Sequence, residues 1–486
     1  MLKLLIEKEL KAFLQSPKFV LSFSVMSILI ILSVYLGVEE YHATKNQYET
    51  ARQLAAEDLQ SQTNWGSVYT RAFREPNPLM IFASGVQNDI GRKTIVSKWQ
   101  ENRLQGSLYS EDSVFAIFRV VDFVFIFQTV VSLFAILFTF NAINGEKESG
   151  TLQLTFSNSI PRALFISAKA LGAIFALCFP LLIPVLLSFL IVVLFGVPME
   201  PEHWLKACAI IALGLSHFIV FILLGILVSS SVRNSATSFL VLISLWITFV
   251  LILPRAGMMI ASEVIPIPSI SELDTKMEAF SKSKWDEKMK REMELYEKYN
   301  KTLETLTPKE RDAKSAEMNW DIKEESEALQ KKLDAEIAEF NRKTNEEAAN
   351  QQAAQEDLAL WISRISPSSA FQLASMSLAE TDVETKYRYE SAIRSYRDRF
   401  ITYINQKQKE SGSNNGFTIH FDKNGIKVHG ASSMRLNFEN MPVFQPPIQS
   451  GLSITEKILP DIGLLIFYAL SFFALAFVLF LRFDIR

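Results

Sequence analysis

The sequence predicts a mainly α, polytopic membrane protein with six transmembrane helices, an extracytoplasmic helical hairpin or coiled-coil region and a small β element. Three observations predict it. Apolar residues make up 49% of the chain, and 37 Phe stand against 12 Tyr and 7 Trp, a balance that leans toward lipid. The apolar residues cluster in runs of about 20, the length that crosses a bilayer core. Lys and Arg gather on one side of the connections between those runs, as cytoplasmic flanks do.

Residues 1–18, MLKLLIEKELKAFLQSPK, set Leu2, Ile6, Leu10, Phe13 and Leu14 on one helix face opposite Lys3, Glu7 and Lys11, the pattern of an interfacial amphipathic helix. Span 1 covers 19–38, span 2 114–143, span 3 164–196 with Pro180 and Pro184 inside it, span 4 206–230, span 5 236–254 and span 6 461–482. Lys3, Lys8, Lys11 and Lys18, then Lys147 and Arg162, Arg233, and finally Arg482 and Arg486 all fall on one side of this arrangement. The connection GVPMEPEHW between spans 3 and 4 carries Glu200, Glu202 and Trp204 and no Lys or Arg. Both termini and the segment 144–163 are therefore expected in the cytoplasm, and 39–113 and 255–460 outside.

The first apolar run exceeds the h-region of a cleaved signal, about 7–15 residues, and no small-residue cleavage motif follows it, so it reads as a retained span. Cys178 and Cys208 both lie inside spans and form no disulfide framework. A formal charge of −3 gives no reason to expect a nucleic-acid partner.

Outside the spans, EEYHATKNQYETARQLAAEDLQSQ favours a helix and gives way to irregular chain around EPNPLM. In a helical arm over 272–350, Met289, Met293, Tyr296, Tyr299, Leu303 and Leu306 form one apolar stripe. Thr307-Pro308-Lys309-Glu310 suits a helix start, and Ile322, Leu329, Leu333, Ile337 and Phe340 form a second stripe. An antiparallel hairpin that buries both stripes against each other is the economical reading; one long solvated helix, or packing on another subunit, fits the same stripes. ISRISPSSAFQLASMSLAETD reads as helix and loop near the membrane surface, and 387–408 as a helix. A β-hairpin is expected over 416–430, with Asn424-Gly425 in a type I′ turn that sets Phe421 opposite Val428, Asp422 opposite Lys427 and His420 opposite His429.

The motifs of catalysis are missing: there is no G-x-x-x-x-G-K-[ST] phosphate loop, G-x-S-x-G elbow, H-E-x-x-H or CxxC, so no intrinsic enzyme activity is expected. His420 and His429 beside Asp422 are candidate ligands for zinc or copper, but a closed site takes four ligands and a solvated strand face is the plainer reading. Arg119 and Asp122, at the outer start of span 2, pair on one helix face either as a gating contact or as an anchor for an overlong helix. His217, inside span 4, lines a pathway or bonds to a neighbouring helix. Lys169 can snorkel from span 3.

The polar elbow between spans 2 and 3 is too short for a domain. Its Glu146, Lys147 and Glu148 are expected to face water, while Gly150-Thr151-Leu152 turns into a short helix that offers Leu152 and Leu154 as apolar anchors. The run NAINGEKESGTLQLTFSNSIPRALFISAKAL, from Asn141 to Leu171, resembles the signature of type-2 ATP-binding-cassette (ABC) exporter permeases. That signature is an acidic-Gly-Thr-Leu block, a Pro-Arg or Ser-Arg, and a Lys in the next span. Glu146, Glu148, Gly150, Thr151, Leu152, Pro161, Arg162 and Lys169 match it.

The resemblance implies that the elbow is a coupling helix docked on a separate ATP-binding subunit, with Glu146, Glu148, Gly150, Thr151, Leu152 and Leu154 in the coupling and Arg162 holding the elbow at the lipid surface. It implies ATP and Mg on that subunit and no cofactor on this chain, a second permease that is identical or related, and a bacterial inner membrane. The implied activity is export, or the transmission of motion to an envelope partner without solute transport. The insert between spans 5 and 6 departs from the simplest members and resembles a subgroup with extended extracytoplasmic regions; the choice of substrate, or of an extracytoplasmic protein partner, would reside there.

Overall fold

The computed structural model describes residues 2–87, 92–98, 121–157, 160–304, 308–410, 417–422, 425–430, 436–447 and 451–482, and of 302–304, 308–321, 417–422, 425–430 and 451–453 the backbone alone. In chain order its elements are α1 (Leu2–Leu14), α2 (Pro17–Ser61), β1 (Tyr69–Phe73), β2 (Lys93–Ser97), α3 (Phe123–Glu148), α4 (Thr151–Ser157), α5 (Arg162–Leu194) and α6 (Pro201–Ser231). There follow α7 (Ser235–Trp246), α8 (Leu253–Val264), α9 (Ile270–Glu304), α10 (Pro308–Ser363), α11 (Pro367–Leu378), α12 (Val383–Glu410), β3 (Phe417–Asp422), β4 (Gly425–Gly430) and α13 (Gly451–Leu481). The chain divides into two units, one of residues 1–252 with 364–486 and one of 253–363.

Six of the described helices are long and apolar enough to cross a membrane. The protein is thus a mainly α polytopic membrane protein, as its composition predicts. Span 4, carried by α6, is the centre of the bundle, with 72% of its most apolar window buried, whereas the windows of spans 5 and 6 are each 17% buried and turn their apolar side chains outward. Outward apolar surface of that extent is stable only against lipid or another subunit.

Several boundaries differ from the sequence reading. Span 1 and the helix expected after it are one continuous helix, α2, because nothing between Val38 and Glu40 breaks the backbone ladder; Ser16 caps its first turn and Pro17 stands at its first position. Span 2 starts at Phe123 with Asp122 as its cap, which accepts from Phe125 N at 2.7 Å and from Ser84 N and Oγ at 2.9 Å. Arg119, the other half of the expected pair, lies outside the described residues. Wide π turns occur at Ile126–Val131 and at Ile247–Ile252, and Trp246 Nε1, just before the second, donates to Ser132 Oγ, just after the first, at 2.8 Å.

The segment expected near the membrane surface is instead part of the bundle. Helix α11 is buried along most of its length, and its Ser368 Oγ lies 3.0 Å from Nε2 of His217, at the middle of α6. Four small residues per two turns (Ser368, Ser369, Ala370, Ala374, with Ser375 beyond) allow this close packing, which a surface pattern of mixed polarity did not suggest. Its N-terminus is satisfied locally: Ser366 Oγ accepts from the N–H groups of Ser368 and Ser369 and donates to Phe249 O, a carbonyl of the second π turn.

A smaller core in the same unit joins β1, β2 and α12. Val68, Ala72, Val96, Ile393, Tyr396, Phe400 and Ile404 are its buried residues. β1 and β2 are antiparallel, with Tyr69 opposite Ser97 and Phe73 opposite Lys93; the sequence reading missed this pair, although YTRAF and KTIVS have the short β-rich composition that signals it. The later hairpin forms in a different register from the expected one. His429 pairs with Thr418 and His420 with Lys427, and the ladder closes on Asp422 with Gly425, so Gly425 belongs to a strand and not to the turn. The two histidines are therefore not directly opposite across the ladder but diagonal neighbours on one face; groups of three or more metal-type ligands are absent among the described residues.

The second unit is an antiparallel helical hairpin with α8 packed beside it. Phe280 stacks on Phe340 at 3.8 Å, Lys284 pairs with Glu336 at 2.7 Å, and Lys288 with Gln330 at 2.5 Å, partners that descend in α10 as they ascend in α9. Ile322, Leu333 and Phe340 line the seam as expected, but Met289, Met293 and Tyr296 do not, and Met293 is 70% exposed. The seam of α9 runs one face away, through Leu273, Met277, Phe280, Lys284, Lys288 and Leu295, where the lysine stems supply apolar cover and their ammonium groups meet acceptors on α10.

Candidate functional site: the elbow between spans 2 and 3

Residues 144–162 are placed by a turn whose backbone needs one glycine. Asn144–Glu148 completes α3, Gly150 takes φ +71°, a left-handed conformation costly for any residue with a Cβ, and Thr151–Ser157 forms α4. Thr151 Oγ1 donates to Glu146 O at 3.2 Å and lies 2.9 Å from Ser149 Oγ, which ties the two short helices across the glycine.

The side chains of this elbow turn inward to the other spans. The amide oxygen of Asn144, fully buried, accepts from Ser229 Oγ of α6 at 3.0 Å and lies 3.4 Å from Ser235 Oγ of α7, and Ile143 N donates to Ser229 Oγ at 2.9 Å. Glu148 accepts from Ser235 N and from Ser235 Oγ, each at 2.7 Å, so its carboxylate sits on the N-terminus of α7, where the helix dipole favours negative charge. Arg162 Nη1 donates to Leu481 O at 2.8 Å, the carbonyl end of span 6. Phe156 of α4 packs at 5.2 Å from Phe165 and 6.2 Å from Phe480.

Glu146 enters an ion cluster. Lys169 Nζ of α5 donates to Glu146 Oε1 at 2.8 Å and to Glu9 Oε2 of α1 at 2.9 Å, with Lys8 at 3.5 Å from Glu146. Lys169 and Glu9 are each 7% exposed, so neither charge is tolerable without the other. α1 reaches this depth because α5 has Gly172 one turn after Lys169: a Cβ there would stand 2.7 Å from the Cβ of Glu9.

The site residues expected from sequence thus divide. Glu146 and Glu148 do not simply face water but bond to α1, α5 and α7; Lys169 does not snorkel but bridges two carboxylates; and Arg162 caps span 6. Leu152 is 1% exposed and belongs to the chain's own core, so it is no docking anchor, while Leu154 is 68% exposed. His217 is buried against Ser368 and stacked 5.0 Å from Phe371, a helix-pairing contact inside this chain. Sequence reasoning missed Glu9, although its position on the apolar face between Ile6 and Phe13 was the available signal, and it missed Ser229 and Ser235, for which two serines near a span end give none.

The fold and the elbow define a multi-pass membrane protein whose spans 3 to 6 and N-terminal helix converge on one short intervening segment. Residues 4–485 match the family of ABC-2 family transporter proteins, and the chain belongs to that family. It is accordingly a membrane permease component of an ABC transporter, and the family implies an ATP-binding subunit as partner. No match to this chain is found among curated proteins.

Proposed function

We propose that this chain is the transmembrane subunit of an ABC exporter in a bacterial inner membrane, with both termini and the elbow in the cytoplasm, and that the elbow receives the motion of a separate ATP-binding subunit. One observation supports the reading: the short segment that would meet that subunit holds hydrogen bonds or ion pairs to α1 through Lys8, to α5 through Lys169, to α6, to α7 and to the end of α13. A displacement of α4 bears on these residues through Thr151 Oγ1 on Glu146 O and through Phe156 against Phe165 and Phe480, and so acts on several spans together, as a switch between inward- and outward-facing states requires. ATP and Mg belong to the partner; this chain supplies the bundle. The sparsely buried windows of spans 5 and 6 leave apolar surface for lipid and for a second permease, identical or related.

In this reading Leu154, 68% exposed, is the anchor for the partner. Leu154→Asp is expected to lower stimulation of the partner's ATPase about tenfold, the effect of losing one interface hot spot, with the thermal midpoint of the chain unchanged. Full stimulation in this variant, reconstituted with its ATP-binding subunit, would overturn the docking assignment. Leu152→Asp is no substitute for the test, because a buried carboxylate would unfold the core around it.

The hairpin arm favours a second reading, mechanotransmission. α10 has 56 residues, a length of roughly 80 Å at 1.5 Å per residue, far more than a loop between spans needs. In that reading the ATP-driven motion works an extracytoplasmic protein and no solute crosses. ATP-dependent movement of solute in vesicles holding only permease and ATPase would sink it.

One pH effect arises outside the spans. Asp382 is driven upward by burial, but the Lys457 ammonium at 2.5 Å and the hydrogen bonds from Thr385 N and Oγ1 outweigh burial and hold its carboxyl below the usual range. A depressed folded value means that this group stabilises the fold above the ordinary Asp value of 3.8 and loses that contribution as pH falls through the lowered value. Asp382→Asn is expected to cost about 1–2 kcal/mol near neutral pH. The difference in thermal midpoint from the parent should shrink in acid below 3.8; a constant difference across pH would contradict the assignment.

A further inference from the structure

A cavity of about 360 Å³ opens beside the elbow, between α1, the end of α3 and α5. Its floor carries the charges of Glu9, Glu146 and Lys169, Lys18 stands among its lining residues, and Phe13 and Phe138 supply apolar wall. Two cations and two carboxylates make the lining electrically neutral but strongly divided. One oxygen of Glu146, Oε2, accepts no hydrogen bond and lies just beneath the lining, so a donor in the cavity reaches it after a rotation of the carboxylate that relieves the cost of leaving it unpaired. Lys18 is exposed at the second residue of α2, so its ammonium reinforces the positive end of a 45-residue helix.

The surroundings say what kind of molecule reaches this place. Leu4 and Leu14 of α1 and Val20 and Leu21 of α2 are exposed apolar residues on the elements that frame the cavity. Such side chains on an interfacial helix and the first turn of a span belong in the acyl and headgroup boundary. A ligand arriving from there is a lipid, and a neutral, divided lining matches a zwitterionic headgroup better than an anionic one, which would meet two carboxylates.

We propose that this cavity binds the headgroup of an aminophospholipid, with the phosphate toward Lys18 and the start of α2 and the primary ammonium toward the carboxylates of Glu146 and Glu9. The primary ammonium matters because it has three N–H donors, where a trimethylated one has none. Occupied in this way, the site joins α1 to the elbow through the lipid as well as through Lys169. The inference concerns a binding site on this chain and holds whether the protein exports a solute or transmits force.

The test uses the full chain in nanodiscs of phosphatidylethanolamine, phosphatidylcholine and phosphatidylglycerol in equal parts, with retained lipids counted by native mass spectrometry after release. Ala12→Trp, which places a bulky ring at an exposed lining position, and Lys18→Glu, which reverses the rim charge, are the variants. The expected result is retained phosphatidylethanolamine in the parent and about tenfold less in both variants, the effect of losing one charge-assisted contact. Equal retention of phosphatidylcholine, preference for phosphatidylglycerol, or parent-like retention in both variants would each overturn the proposal. Competition by soluble glycerophosphoethanolamine separates headgroup recognition from adhesion of acyl chains: displacement supports the site, and no displacement at saturating concentration counts against it.

Discussion

Lys169→Met is expected to lower the stability of the chain by about 3–5 kcal/mol, because it strands carboxylates that have left water to meet one ammonium. Glu9 is 7% exposed and Glu146 retains only the more distant Lys8 at 3.5 Å, so neither can recover its solvation by a small rotation. The loss is to be read as a fall in thermal midpoint in lipid nanodiscs and as release of α1, detected by proteolysis near residues 14–17. Glu9→Gln combined with Lys169→Met separates charge from packing. If the cluster acts through unpaired charge, the pair of changes restores most of the midpoint; if Lys169 matters only as a stem that fills space, the second change adds a loss of its own. A Lys169→Met protein with the parental midpoint and intact ATPase stimulation would remove the cluster from both the fold and the coupling.

Asp461→Leu is the second large effect, expected at about 3 kcal/mol. Asp461 is 2% exposed near the start of span 6, and Arg364 Nε donates to its Oδ1 at 2.8 Å. A carboxylate at that depth is costly unless paired, and removing it leaves the guanidinium in the same surroundings without this partner. Arg364 immediately precedes the Ile365 and Ser366 contacts that hold α11 among the spans: Tyr468 donates its hydroxyl to Ile365 O, and Ser366 donates to Phe249 O. Loosening of α11 should therefore accompany the loss of stability and appear as faster hydrogen exchange over 367–378. Exchange there at the parental rate, with a midpoint near the parent's, would show that Asp461 is not what seats the helix.

The parts of the site that could be read in the sequence are those written in contiguous residues. Gly150 announces a turn into a short helix, Pro161 ends the elbow, and the Glu-Ser-Gly-Thr-Leu block identifies the segment without any knowledge of what surrounds it. The parts that could not be read depend on pairing across the chain. Glu146 looks like a solvated acid among polar neighbours until Lys169 and Glu9 are brought to it, and Leu152 and Leu154 are equivalent apolar residues until one meets the core. The arm repeats the lesson. Met289, Met293 and Tyr296 make a convincing stripe, yet the helix turns Phe280, Lys284 and Lys288 to its partner, because lysine stems and acceptors opposite them can seal a seam as well as methionines can.

By itself the sequence determined that this protein lives in a membrane, that it has six apolar helices long enough to cross one, and which short segment interrupts them, because a lipid core imposes a length and composition on each helix independently of the others. Only the tertiary structure decided that α11 enters the bundle, that Glu9 and Lys169 are partners, and that Leu154 and not Leu152 is left exposed. Those outcomes turn on which faces meet, and a buried charge or a small residue has no meaning for the fold until its neighbour from a distant stretch of chain is in place.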